Sequence, residues 1–68
     1  MADHIYKVVE VVGTSPESIQ DAVRNAVAKA SETLRHLEWA EVGAIRAHIV
    51  DGHVEHFQVA TRIGFRLE

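Results

Sequence analysis

The sequence predicts an α+β fold of order β-α-β-β, in which a three-stranded antiparallel sheet packs against one long helix. Two observations carry this prediction. A stripe of apolar residues at helical spacing runs through the first half of the chain, and an Asp51-Gly52 dipeptide separates two strand-like segments in the second half. Asp-Gly favours a two-residue β-hairpin, because a type I′ turn requires positive φ at both central positions. Since no linker or repeat interrupts this order, we expect a single domain over residues 1–68.

The first strand is predicted over residues 5–12, which alternate loosely and are rich in β-branched side chains. The segment from Gly13 to Pro16 then interrupts the strand pattern. Ser15 is the predicted N-cap of the helix, because its hydroxyl can accept a hydrogen bond from a free backbone N–H. Pro16 suits the first helical position, where its missing N–H costs nothing.

The helix is predicted over residues 16–37, where apolar side chains recur every three or four positions. The stripe consists of Ile19, Ala22, Val23, Ala26, Val27, Ala30, Leu34 and Leu37. Polar and charged residues occupy the remaining positions, so one face of an amphipathic helix is available for a core.

The two remaining strands are predicted over residues 39–50 and 53–67. A two-residue turn fixes their pairing, so that residues whose numbers sum to 103 lie opposite each other. On this register Arg46 lies opposite Phe57, Ile45 opposite Gln58, and Trp39 opposite Gly64. The face assigned to the helix carries Val42, Ala44, Phe57, Val59, Ile63 and Phe65. The outer face carries Trp39, Glu41, Ile45, Ala47, Ile49, Val54, His56, Gln58, Ala60 and Arg62.

The outer face is too apolar for a sheet that meets water, since a sheet with one helix should have a polar outer side. Exposed apolar patches of this kind usually mark interfaces. The chain has 68 residues and no cysteine, so it lacks both a large core and disulfide bonds to stabilise it. We therefore expect copies of the chain to bury this face in a closed homo-oligomer.

Charge and hydropathy exclude several classes of function. A net charge of −3 argues against broad nucleic-acid binding, which requires a basic surface. No apolar run approaches the roughly 18 residues of a membrane span, and no targeting segment is visible. The expected location is the cytoplasm.

Histidines and serines give little indication of catalysis or metal binding. His48, His53 and His56 lie near the hairpin turn, but the predicted register places His48 and His56 on opposite faces. Metal ligands must converge, so no metal site is expected. No serine lies in a Gly-x-Ser-x-Gly context, and we expect no catalytic residues.

Trp39 and Gln58 are the two candidates for ligand binding. The structural interpretation is that Trp39 fills space in the core or in a subunit interface and that Gln58 forms a hydrogen bond within that interface. The functional interpretation makes Trp39 a stacking platform for a flat aromatic ligand, and Gln58 an amide that pairs with a heterocycle edge. Six residue steps along the ladder, or roughly 20 Å, separate them. One small ligand contacts both only if different subunits supply them, unless a bulge shifts the register.

Several segments resemble the dodecins, small flavin-binding proteins of bacteria and archaea, over essentially the whole chain. The matching segments are Val-Val-Gly-Thr-Ser at 11–15, Leu-Glu-Trp-Ala-Glu-Val at 37–42, Val-Asp-Gly at 50–52, Phe-Gln-Val at 57–59 and Gly-Phe-Arg-Leu-Glu at 64–68. The resemblance implies a hollow homododecamer whose sheets wrap partly around their helices. It also implies paired flavins between tryptophans at subunit contacts, with Trp39 as the stacking residue and Gln58 bonding the isoalloxazine edge.

The resemblance further implies a non-enzymatic role, in which flavin is stored, sequestered and quenched without turnover. Bacterial members commonly favour FMN, so a cation near the phosphate is expected. Arg46 and Arg66 are the candidates by position, although the predicted register places Arg46 on the face opposite Gln58. Some members resemble coenzyme A binders, which leaves a coenzyme A carrier or scaffold with incidental flavin binding as the alternative.

Overall fold

The structure, a computed structural model, describes residues 3–67 and shows the predicted order of elements. Strand β1 spans Ile5–Ser15, helix α1 spans Ile19–Ala30, and strands β2 and β3 span Leu37–Val50 and His53–Leu67. β3 lies between β1 and β2 and pairs antiparallel with both. The β-α-β-β fold and its three-stranded antiparallel sheet are thus confirmed. Met1, Ala2 and Glu68, which end the predicted 1–68 domain, lie outside the described residues.

The hairpin turn forms where the Asp-Gly signal predicts it. Asp51 has φ 52° and Gly52 has φ 77°, the two positive values that a type I′ turn requires. Val50 pairs with His53 directly across the turn.

The first strand is three residues longer than predicted, because Gly13, Thr14 and Ser15 continue it. Gly13 pairs with Val59 of β3 and lies directly beneath the helix. A β-carbon at position 13 would come 2.0 Å from the carbonyl oxygen of Ala22. The glycine therefore permits close packing of helix on strand, and the prediction that it ends the strand is wrong.

The start of the helix is also corrected by the structure. Ser18, with φ −165°, is the N-cap, and its hydroxyl accepts a hydrogen bond of 3.0 Å from the N–H of Asp21. The hydroxyl of Ser15 accepts from the N–H of Glu17 at 3.0 Å, so this residue closes the turn before the helix instead of capping it. The predicted roles of Ser15 as N-cap and Pro16 as first helical residue are wrong.

The helix ends at Ala30, seven residues before the predicted end at Leu37. The hydroxyl of Ser31 donates to the carbonyl of Ala28 at 2.8 Å, and the next two N–H groups donate to carbonyls three residues back. This tightening ends the helix. His36 then takes a positive φ of 62° as the chain enters β2.

The core of the described chain is small. Its buried apolar side chains are Ala22, Ala26, Ala30, Val59, Ile63 and Phe65. Three of the six are alanines on the helix, which bring the helix backbone close to the sheet but bury little apolar area each. A core of this size supplies little stability by itself.

The hairpin register holds from Trp39 to Val42 and next to the turn, but shifts by one residue between these two parts. Trp39 lies opposite Gly64, as predicted, whereas Arg46 pairs with Gln58 and Ile45 with Val59. The predicted pairs of Arg46 with Phe57 and of Ile45 with Gln58 are therefore wrong.

Two bulges cause this shift. Gly43 and Ala44 of β2 together oppose Ala60 of β3, which advances the register by one residue. Glu55 is the extra residue on β3 between the pairs of His56 and Val54, and it restores the register before the turn.

Because a shift of one residue moves side chains to the other face, the bulges reassign the middle of β2. Arg46 and His48 lie on the outer face of the sheet, whereas Ile45, Ala47 and Ile49 lie on the helix side, contrary to prediction. Ile45 nevertheless remains exposed. The 12-residue helix is about 18 Å long and covers only part of a sheet whose strands run to 15 residues, about 50 Å.

Candidate functional site

The outer face of the sheet carries all four predicted site residues, in two groups. β3 supplies Arg66 and Gln58, while β2 supplies Trp39 opposite Gly64 and Arg46 opposite Gln58. Trp39 and Arg66 thus lie at one end of the face, and Arg46 and Gln58 lie together further along it. Between the two groups stands a row of charged residues in which Arg62 pairs with Glu10 on one side and Glu41 on the other.

The indole of Trp39 lies over Gly64 of the neighbouring strand. A β-carbon at position 64 would come 2.1 to 2.6 Å from three atoms of the indole, so any larger residue would displace the ring. The phenol ring of Tyr6 from β1 flanks the indole, with ring centroids 5.1 Å apart and planes inclined by 58°. The ring is therefore held by two strands, yet Trp39 is 43% exposed, which makes it an accessible aromatic surface.

Arg66 lies on the outer face beside this aromatic pair. It pairs with Tyr6 in the β1–β3 ladder, and its guanidinium contacts the carboxylate of Glu38 with Nη1 and Oε2 3.7 Å apart. Glu38 is the extra residue at the irregularity between Leu37 and Trp39. The backbone N–H of Arg66 also donates to the carbonyl of His36 at 3.0 Å. Arg66 therefore helps to hold the backbone from which Trp39 projects.

Arg46 and Gln58 form a directly opposed pair on the outer face, with Thr14 of β1 completing their row. The pair combines a permanent cation with an amide that can both donate and accept hydrogen bonds. The amide nitrogen Nε2 of Gln58 lies 3.2 Å from Nε2 of His56. This amide is therefore fixed by a neighbouring side chain.

His48 and His56, predicted on opposite faces, are stacked on the same face. Their ring centroids are 5.0 Å apart and their planes are inclined by 22°. The bulge residue Glu55 contacts both rings through Oε1, at 3.7 Å from Nε2 of His48 and 3.4 Å from Nδ1 of His56. Within residues 3–67, no group of three or more His, Asp or Glu side chains is arranged to hold a metal ion.

The two groups of site residues remain far apart within one chain. Trp39 lies at the level of Gly64, six residues along β3 from Gln58, or about 20 Å. The bulges do not shorten this separation, because Trp39 is placed by its pair with Gly64, and no bulge residue lies on β3 between Gln58 and Gly64. A ligand of the size of a heterocycle cannot contact Trp39 and Gln58 of the same chain.

Sequence reasoning missed the residues that support these groups. Tyr6 and Gly64 hold the indole, and His56 holds the amide of Gln58. Their only sequence signal is their place in the ladder, which the β1–β3 pairing supplies for Tyr6. His56 and Gln58 already share the predicted outer face, but nothing in the hairpin pattern indicates that their side chains contact each other.

Other surfaces of the described chain are open and apolar. A groove of about 680 Å³ runs between β1 and α1, where Val9, Val11, Ala26 and Ala30 contribute to its lining. Ile49, Val54 and Val12 are each more than half exposed. No helix in the described part of the chain is long and apolar enough to span a membrane.

Comparison with known proteins identifies the family. The family model for dodecin matches residues 5–68. The dodecin of Thermus thermophilus is 50% identical over 64 residues, which are 94% of this chain and 93% of that protein. The solved dodecin of Streptomyces coelicolor is 57% identical, superposes with a TM-score of 0.94, and is covered to 97% by the whole of this chain. A solved dodecin of Streptomyces davaonensis is 45% identical with a TM-score of 0.94, over 98% of each chain. With this agreement in sequence over nearly its full length and in overall fold, the chain belongs to the dodecins, a family of small, oligomeric, non-enzymatic flavin-binding proteins.

Proposed function

We propose that this protein binds FMN or riboflavin in stacked pairs between Trp39 side chains at subunit interfaces, and thereby stores and quenches flavin. The observation that carries the proposal is the position of the indole over Gly64, braced by Tyr6 and 43% exposed. Because the ring is already ordered, little conformational entropy is lost when a flat ligand stacks on it. Aromatic stacking also brings the indole into the contact that quenching of an excited flavin requires.

Gln58 and Arg46 fit the remaining parts of FMN. The edge of the isoalloxazine presents an imide N–H between two carbonyl groups, which a primary amide can meet as donor and acceptor. The guanidinium of Arg46, opposite Gln58, suits a phosphate because its planar donors match the phosphate oxygens. Arg66 lies at the Trp39 end, where we propose that it supports the backbone of the stacking site through Glu38 and adds a positive charge beside it.

The separation of the two groups supports a site shared between subunits. Since about 20 Å lies between Trp39 and Gln58 in one chain, one flavin contacts both only when neighbouring copies supply them. The exposed apolar residues of the sheet, such as Ile49 and Val54, provide the surface that such copies would bury. We propose the homododecamer of the family as the assembly and the cytoplasm as its location.

Flavin fluorescence tests this function. Protein added to FMN or riboflavin is expected to quench the fluorescence, and Trp39→Ala is expected to abolish most of that quenching. Trp39→Phe keeps an aromatic ring and is the matched control, with partial quenching expected. Equal quenching by wild type and Trp39→Ala would remove Trp39 from the site.

A second titration tests the alternative role, in which the protein is a coenzyme A carrier. Coenzyme A is added to the flavin-loaded protein, and the released flavin is followed by its recovered fluorescence. We expect no release, because the outer-face site is built around an aromatic stack. Tight coenzyme A binding by protein that does not quench flavin would favour the carrier or scaffold.

A further inference from the structure

Glu55, His56 and Gln58 form a short chain of polar contacts that ends at the proposed flavin site. Oε1 of Glu55 lies 3.4 Å from Nδ1 of His56, and Nε2 of His56 lies 3.2 Å from the amide nitrogen of Gln58. The two ring nitrogens of His56 thus face different partners. A carboxylate can only accept hydrogen bonds, whereas the amide nitrogen can only donate them.

These chemistries define the hydrogen positions of a neutral His56. The carboxylate of Glu55 favours the tautomer with hydrogen on Nδ1, which leaves Nε2 as an acceptor. The amide nitrogen of Gln58 then donates to Nε2, and the amide oxygen points away from His56. In this orientation the oxygen is available to accept from a ligand donor on the open outer face.

We infer that Glu55 and His56 are positioning residues that select flavins by presenting the amide oxygen of Gln58 to the imide N–H of the isoalloxazine. This inference rests on the proposed flavin binding. Glu55 and His56 orient the amide, and the ligand group that Gln58 recognises is the imide N–H.

Protonation of His56 would reverse the amide. A charged imidazole donates from both nitrogens, so Nε2 can no longer accept from Gln58. The amide would rotate to place its oxygen on His56, and its NH₂ group would then oppose the imide N–H, donor against donor. Flavin affinity is therefore expected to be lower when His56 is charged than when it is neutral, and comparing high with low pH tests this difference.

The groups around His56 are few. Glu55 is its neighbour on β3, His48 stacks on it from β2, and Arg46 lies one row further along β2. β1 ends at Ser15, opposite Phe57, and α1 lies on the other face of the sheet, so neither brings a charge to this ring. His48 is the other imidazole in contact with this ring, and it must be tested separately.

Neutron diffraction from crystals of the flavin-free protein at pH 8 tests the orientation without any ligand. We expect deuterium on Nδ1 of His56 and the amide ND₂ of Gln58 directed at Nε2. Deuterium on Nε2, with the amide oxygen facing it, would overturn the inference. Because no flavin is present, this result is independent of whether the proposed function holds.

Riboflavin titrations then test the consequence, since riboflavin has no phosphate to titrate. The Kd of wild type is expected to rise about tenfold from pH 8 to pH 5.5, the effect of losing one hydrogen bond. His56→Phe preserves a stacked ring and is expected to flatten this dependence to less than about threefold. His48→Phe and His53→Phe are the matched controls and are expected to keep the full rise.

A riboflavin methylated at the imide nitrogen provides the ligand control. It is expected to bind about tenfold more weakly at pH 8 and to show no rise in Kd at pH 5.5. A pH dependence that survives in His56→Phe, or that disappears in His48→Phe alone, would refute the role of His56. Wild-type protein that quenches no flavin at any pH would instead refute the proposed function.

Discussion

The six-membered ring of Trp39 lies over Gly64 on the neighbouring strand, in the space that a side chain at position 64 would fill. A β-carbon there would come 2.1 Å from Cε2 and 2.2 Å from Cζ2 of the indole. Gly64 is not at a turn, and its role is therefore to make room for the ring. The exposed aromatic surface of this protein thus depends on a residue that has no side chain.

Gly64→Ala is expected to displace the indole and weaken flavin binding about tenfold. The added methyl group overlaps three indole atoms, and overpacking of this kind also costs about 1–3 kcal/mol of stability. The measurement is a flavin fluorescence titration together with thermal unfolding at fixed protein concentration.

Gly43→Ala is the matched control for this substitution. A β-carbon at position 43 would meet nothing closer than 3.6 Å, so both affinity and stability should change little. If Gly64→Ala retains wild-type flavin affinity, the indole does not need its position over the glycine.

Arg46→Ala is expected to weaken FMN about tenfold and to leave riboflavin nearly unchanged. The reason is that riboflavin lacks the phosphate which we assign to this guanidinium, and one charge-assisted hydrogen bond contributes about 1.5–3 kcal/mol. The two ligands are compared by calorimetric titration at constant salt.

Arg62→Ala serves as the control, because Arg62 lies on the same face but contacts Glu41 at 4.0 Å in the charged row. It should alter neither ligand's affinity strongly. If Arg46→Ala weakens FMN and riboflavin equally, the arginine does not bind the phosphate and instead supports the shape of the site.

Ser18→Ala is expected to lower the stability of the chain by about 1 kcal/mol, because the N–H of Asp21 loses its hydrogen-bond acceptor. Ser18→Asp keeps an acceptor at the same place and should retain most of the stability. Thermal midpoints at one protein concentration provide the comparison, since assembly makes the midpoint concentration-dependent. Identical midpoints for wild type and Ser18→Ala would place the helix cap elsewhere.

Ile49→Glu is expected to reduce or abolish assembly. Ile49 is 65% exposed in the single chain, so burial between copies would force a charge into an apolar contact. Light scattering should give wild type a mass many times the 7.6 kDa of one chain and a lower mass for the variant. Ala28→Glu adds the same charge on the exposed side of α1 and should leave the mass unchanged. A wild-type mass of one chain would contradict the assembly itself.

The order of elements and the hairpin turn were predictable from the sequence, because both depend on local chemistry. The positive φ values of Asp51 and Gly52 follow from the type I′ turn, and the apolar stripe of α1 from its 3.6-residue period. Both ends of the helix were predicted wrongly. At the start, Ser15 and Ser18 are both suitable N-caps in sequence, and Ser18 is the cap because strand β1 continues to Ser15.

The pairing of Trp39 with Gly64 was predictable, whereas the pairing of Arg46 with Gln58 was not. Both pairs lie on one hairpin, but the pair of Arg46 with Gln58 lies between two bulges, where the register differs by one residue from that of a regular hairpin. A bulge inserts one residue at little cost in local propensity, so no pattern in the sequence reveals where it falls.

The sequence by itself thus determined the fold and the family, since these rest on periodicity, turn chemistry and motif, and it supplied Trp39 and Gln58 as the residues of the proposed site. The tertiary structure decided which side chains share a face. It placed Arg46 beside Gln58 and stacked His48 on His56, because the bulges at Gly43 and Glu55 turn the middle of one strand over relative to its neighbour. The extra residue on β2 moves the side chains that follow it on that strand to the other side of the sheet, and only the complete ladder shows where this shift begins.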